Sequence, residues 1–103
     1  MPRLKGSPAA LADVQRLYRF LAVENLDAAK RAARAIREGV ALLARHPEAG
    51  KSAPDMEPEF REWPIRFAGS GYVALYRFDG ATAIILAVRH QREAGVVTAT
   101  SRP

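Results

Sequence analysis

A single α+β domain, with an N-terminal helical hairpin packed on a small antiparallel β-sheet, is predicted by three observations. Residues 7–46 carry apolar side chains at helical spacing in two stretches separated by a polar break. Residues 59–95 change to two-residue alternation, with arginines set among aromatic and β-branched residues. The proline-rich stretch between them is a loop and not a domain linker, because neither side could bury a core alone. With 103 residues, 49% of them hydrophobic, the whole chain is one domain, residues 1–103, large enough for a single core.

Ser7 followed by Pro8 forms an N-cap and first-turn pair, after which Leu11, Val14, Leu17, Tyr18 and Leu21 recur at helical spacing. This helix is predicted to end near Glu24 and Asn25. The second starts at Asn25 or Asp27 and runs along Ala29, Ala32, Ala33, Ile36, Val40, Leu43 and Ala44 to His46-Pro47, where proline pushes its predecessor out of the helical region. A short connection makes the pair antiparallel. Lys30, Arg31, Arg34 and Arg37 fall away from the apolar stripe and read as a solvated face.

Three strands follow. On the first, Arg61 shares parity with Trp63, Ile65 and Phe67, while Arg66 lies with Glu62 and Pro64. Pro64 cannot donate to a ladder, so this strand lies at an edge or bulges there. The second runs from Tyr72 to Phe78, with Tyr72, Ala74, Tyr76 and Phe78 on one face and Val73, Leu75 and Arg77 on the other. Asp79-Gly80 predicts a two-residue type I′ hairpin turn. The third, Thr82 to Arg89, is almost continuously apolar and therefore central. Pro2 to Gly6 reads as an edge strand turning Leu4 inward, and residues 96–103 as a loose tail.

Composition removes several classes of function. Absence of cysteine excludes disulfides and thiol catalysis, and two histidines with scattered carboxylates are too few for a structural zinc site, so no metal or other cofactor is expected. No apolar run approaches the ~20 residues of a membrane span. Nor does an apolar segment follow the basic start MPRLKGSP, which gives a cytoplasmic expectation. The net charge of +5 favours an acidic partner. The excess lies in the helical half: nine basic against five acidic residues through Gly50, and seven against six beyond it.

The run Leu43-Ala44-Arg45-His46-Pro47-Glu48-Ala49-Gly50, the sheet entry Phe60-Arg61-Glu62, the strand from Gly71-Tyr72-Val73 to Tyr76-Arg77, and Val88-Arg89-His90-Gln91-Arg92 occur in an order that resembles the RelE/ParE superfamily of bacterial type II toxins. The resemblance covers Ser7 to Gly95 and is closer to the ParE-like branch. It implies growth arrest by inhibition of DNA gyrase, neutralisation by a cognate ParD-like antitoxin in a heterotetramer or larger assembly, a part in plasmid stabilisation, and no cofactor. Two alternatives stay open: a RelE-like endonuclease cutting messenger RNA on the ribosome, and a non-toxic relative that still binds antitoxin.

The residues weigh between these. RelE-like toxins are similar in using clustered lysines and arginines on the sheet with a late tyrosine. Here the strand from Phe60 to Phe67 has arginine but no lysine, and Val96 stands where that tyrosine would be. A guanidinium stabilises phosphate but is a poor general base. A nuclease would therefore rely on Arg61, Arg89, His90 and Arg92, with His90 as acid or base and Glu93 orienting it. For a gyrase inhibitor, Arg89, His90 and Arg92 at the end of the central strand are the candidate target contacts. The antitoxin is expected along Leu11, Val14, Leu17 and Tyr18, with Arg61 and Arg77 meeting its acidic residues. Structurally, Arg61 is a candidate to stack on Trp63 or pair with a carboxylate, and Arg77 to pair with Glu62. The AGSGY segment around Ser70 matches neither a phosphate loop nor a nucleophile elbow and reads as a tight strand connection.

Overall fold

The computed structural model describes residues 3–92. The chain runs β1 (Arg3–Gly6), α1 (Pro8–Ala22), α2 (Leu26–Ala41), a 3₁₀ turn (Leu42–Ala44), β2 (Lys51–Ser52), β3 (Phe60–Phe67), β4 (Ser70–Phe78) and β5 (Thr82–His90). The five strands form one sheet in the order β1-β5-β4-β3-β2.

Both helices start where the capping chemistry places them. Ser7 Oγ accepts the Ala10 N–H at 3.0 Å, and Asn25 Oδ1 accepts the Ala28 N–H at 2.9 Å. Each satisfies one of the donors that a helix start leaves free. The α-helical part of the second helix stops at Ala41, and the chain tightens into the 3₁₀ turn before His46-Pro47.

β3 to β5 pair antiparallel, as expected, while β2 adds two antiparallel residues to β3 from the stretch read as a loop, and β1 runs parallel to β5, so the sheet is mixed. Parallel neighbours need a long crossover. Here the helices and three intervening strands supply it. Leu4 on β1 packs against the core. β5 is central, lying between β1 and β4. On β3, β2 covers only Arg61 and Glu62, and the β3–β4 register from Phe60 to Phe67 is unbroken. Pro64 therefore sits on an open edge, without a bulge.

The hairpin turns differ from the sequence reading in one place. Ala68 and Gly69, both at positive φ (50° and 75°), connect β3 to β4 as a type I′ turn. Between β4 and β5, Asp79 is not at positive φ. Its N–H meets the Thr82 carbonyl at 3.3 Å, so the turn centres on Gly80-Ala81, with positive φ at Gly80 alone. The reason is that the Asp79 carboxylate accepts the N–H groups of Ala81 and Thr82 at 2.9 and 2.8 Å, folding the loop back on Asp79 itself.

The core lies between the helical hairpin and one sheet face. Leu17, Ile36 and Leu43 from the helical half meet Ile65, Tyr72, Ala74, Tyr76, Ile85 and Val88 from the sheet. Trp63 is half-buried and donates its indole N–H to the Gly39 carbonyl at 2.9 Å, tying β3 to α2. A register shift on β5 opposite Leu75 and Tyr76 leaves Leu86 as an extra residue, since Tyr76 pairs with Ile85 and Leu75 with Ala87. That bulge turns both Ile85 and Val88 toward the helices.

Candidate functional site

The end of β5 gathers the chemistry. His90 lies opposite Tyr72 in the β4–β5 register, with its ring edge-on to the phenol at 5.3 Å between centroids. Its Nδ1 accepts the Arg92 N–H at 3.1 Å, and its Nε2 lies 3.2 Å from Ser70 Oγ. With Nδ1 accepting, the neutral ring carries its proton on Nε2, which donates to Ser70. Both ring nitrogens are thus engaged within the chain.

The Tyr72 and His90 rings form the floor of a hollow of about 580 Å³, walled by Leu17, Phe20 and Leu21 of α1 and rimmed by Arg16 and Arg92. Burial raises the pKa of the Tyr72 hydroxyl, which keeps it neutral. α1 is fixed over this end of the sheet by two side chains that finish the edge of β5 beyond Gly6, where β1 stops. Ser7 Oγ donates to the carbonyl of the bulged Leu86 at 3.3 Å, and Asp13 Oδ2 accepts the Val88 N–H at 2.9 Å.

Because of the bulge, Arg89 projects from the opposite face. There it reaches across β4 to Glu62 on β3, Nη2 to Oε2 at 3.1 Å. Arg77 was expected to take Glu62, but the register sets it opposite Phe60, and it pairs instead with Glu59 at 3.7 Å and Asp79 at 4.0 Å.

Arg61 occupies the other end of the helix-side face. It neither stacks on Trp63 nor pairs with a carboxylate; its Nη1 donates to the Glu48 and Gly50 carbonyls at 2.9 and 2.8 Å. Tyr76, directly opposite, donates to the Pro47 carbonyl and accepts the Gly50 N–H. Burial is the main cause of a raised Tyr76 pKa, opposed by the Gly50 hydrogen bond and by Arg61.

A second hollow, about 490 Å³ and almost wholly apolar, lies between the helices and β1, with Leu11, Val14, Ile36 and Val40 among its walls. Among the described residues no group of three or more histidine, aspartate or glutamate side chains could hold a metal ion. No helix among them is long and apolar enough to cross a membrane.

The sequence model of the family described as ParE toxin of type II toxin-antitoxin system, parDE, matches residues 4–95. The chain belongs to the ParE toxin family. Among solved structures, this ParE-family chain is similar to one described as a chromosomal ParDE TA system from P. aeruginosa, with a TM-score of 0.73 and 25% identity over 87% of this chain and 96% of that one. The toxin-antitoxin complex RelBE2 from Mycobacterium tuberculosis shares the fold, with a TM-score of 0.61 and 24% identity over 88% of this chain and 100% of that one. No curated protein sequence matches.

The ParE-family fold sorts the residues singled out in the sequence. His90 and Arg92 come together at one hollow, and Arg89 is separated from them by the thickness of the sheet. Arg61 and His90 share a face but are opposed to Tyr76 and Tyr72 respectively, about 13 Å apart along the strands and about 10 Å across them. Of the residues expected to meet an antitoxin, Leu11 and Val14 line the apolar hollow, Leu17 the other, and Tyr18 is half-buried on α1. Arg61 and Arg77 lie toward the β4–β5 turn end of the sheet. Ser70, read as part of a connection, also contacts His90, a relation visible only once the strands are paired. Glu93 and Val96 lie outside the described residues.

Proposed function

We propose that this ParE-type toxin arrests growth by binding and inhibiting DNA gyrase, without catalysing a reaction of its own, and that a cognate ParD-like antitoxin neutralises it. The observation that carries this reading is that Arg61, Arg89 and His90 do not converge. Cleavage of RNA needs a base, an acid and phosphate-stabilising charge around one phosphodiester. Here Arg61 is committed to two loop carbonyls, Arg89 to Glu62 on the other face, and both His90 nitrogens to neighbours. A binding function asks only for exposed, firmly held contacts. At the end of β5, exposed Arg92 and half-buried His90 offer contacts on one face, and half-buried Arg89, paired with Glu62, on the other.

The antitoxin is assigned to the apolar hollow of Leu11 and Val14, whose margin carries Arg37. An amphipathic acidic segment fits such a surface by helix-in-groove contacts. The proposed assembly is a heterotetramer or larger, acting in the cytoplasm, and its genetic consequence is retention of the replicon that encodes the pair.

Induction of the chain without antitoxin in a bacterial host, with DNA and protein synthesis followed separately over the first minutes, tests the reading. DNA synthesis is expected to fall first. Translation stopping first, with cuts in ribosome-bound messages, would replace it with the nuclease reading, and no effect on growth would mark a non-toxic relative.

A further inference from the structure

The outward face of α2 carries a ridge of cations. At 3.6 residues per turn, Lys30, Arg34 and Arg37 lie within about 60° of one another and span about 10 Å along the axis. All three are exposed, and none forms an ion pair among the described residues. Outside those residues the sequence holds a single acidic side chain, Glu93. Of the two acids on α2 itself, Asp27 pairs with Arg31 at 3.2 Å, and Glu38 lies about 80° round the helix from Lys30. Lys30 and Arg34 line neither hollow, and Arg37 alone of the three reaches the apolar one. The ridge is therefore a convex, polar crest. Between Lys30 and Arg37 the apolar side chain nearest the crest is the methyl group of Ala33.

We infer that this ridge binds the phosphate backbone of double-stranded DNA without regard to sequence. Phosphate contacts ask for projecting cations and no pocket, whereas an acidic peptide needs an apolar anchor in one, which a single alanine methyl does not provide. The span of the ridge matches about three nucleotides of one strand, at about 3.4 Å of rise each. A duplex is favoured over an unpaired strand because its charge is denser and because α2 has no aromatic side chain on which a free base could stack. Asp27 and Glu38, on one flank, would meet phosphates if the helix entered a groove, so the contact is confined to the backbone. The ridge lies apart from the end of β5, so one molecule can hold a protein and DNA together. For a target that itself carries DNA the two contacts reinforce one another; that consequence rests on the gyrase reading, and the DNA contact does not.

The test is a titration of the full chain, alone, with a short labelled DNA duplex of arbitrary sequence, read by fluorescence anisotropy at several salt concentrations and by nuclear magnetic resonance. Three phosphate contacts predict that the logarithm of affinity falls with that of salt at a slope of about −2.7. Signals of Lys30, Arg34 and Arg37 should shift together. Arg37→Gln should reduce the slope by about one, and Lys30→Gln combined with Arg34→Gln by about two, with binding at low salt weakened about tenfold or more. Arg66→Gln, at an exposed site on β3, should change neither quantity. Absence of binding, a slope unmoved by the α2 variants, shifts centred elsewhere, equally tight binding of the single strand, or equal binding of a polyglutamate peptide at the same residues would each overturn the inference. The titration contains no gyrase, so it succeeds or fails independently of gyrase inhibition.

Discussion

Arg61 and Tyr76, directly opposed on β3 and β4, grip the same loop together. The Tyr76 hydroxyl donates to the Pro47 carbonyl at 2.7 Å and accepts the Gly50 N–H at 2.9 Å, and Arg61 adds the Glu48 and Gly50 carbonyls. Between them they satisfy the carbonyls of Pro47, Glu48 and Gly50 and the Gly50 N–H. Gly50 is required for this closeness: a Cβ there would sit 2.7 Å from the Tyr76 ring and 2.8 Å from the Glu62 carbonyl.

Tyr76→Phe keeps the ring and removes both hydrogen bonds, leaving the buried Gly50 N–H without its acceptor. A loss of about 1–3 kcal/mol is expected in urea unfolding. Gly50→Ala should cost a similar amount by steric conflict, and the two losses should not add, since either change opens the same contact.

Arg61→Ala is expected to lower stability by about 1–2 kcal/mol, through two charge-assisted hydrogen bonds. If Arg61 acts only through the loop, target inhibition by the folded fraction remains near that of the wild type at a temperature well below its melting point. Measuring inhibition and the melting curve on the same preparation separates the two roles.

Asp13→Ala leaves the Val88 N–H without a partner where α1 crosses β5, and a loss of about 1–3 kcal/mol follows. Hydrogen exchange should locate it: the Val88 amide is expected to exchange faster in the variant than in the wild type, while amides of β3 keep their relative order.

The Asp79 carboxylate is held below its ordinary pKa of 3.8, chiefly by the Thr82 and Ala81 N–H groups, with Arg77 contributing less. A depressed pKa in the folded state means that the carboxylate's contribution is complete above 3.8 and is lost as pH falls through the lower folded value. The melting temperature of the wild type should therefore approach that of Asp79→Ala on acidification through this window. Parallel curves for the two proteins from pH 5 to pH 2 would count against the Asp79 turn as the cause.

How far the sequence reached can be read from particular residues. Ser7, Pro8 and Asn25 announced both helix starts, because capping is local chemistry written in adjacent residues. The central place of β5 and the open edge at Pro64 also followed, from the apolar run of the one and the missing donor of the other, whereas the two-residue β2 lies in a stretch read as a loop. What could not be read depends on residues far apart in the chain. Strict alternation from Ala83 would place Arg89 under the helices and His90 outside, whereas the bulge at Leu86 exchanges them. No residue type announces that bulge; its carbonyl is held by Ser7, 79 positions away. The same holds for Arg61, whose partners are loop carbonyls and so leave no mark in side-chain pattern, and for the pairing of His90 with Ser70.

The central claim is inhibition by binding, and the most direct measurement is purified chain added to purified gyrase with relaxed plasmid and ATP. Loss of supercoiling is expected, with gyrase trapped on cleaved DNA, relieved by the antitoxin and retained in His90→Gln at raised protein concentration. Undiminished supercoiling at saturating toxin, together with messenger cleavage on purified ribosomes that His90→Gln abolishes, would contradict the account.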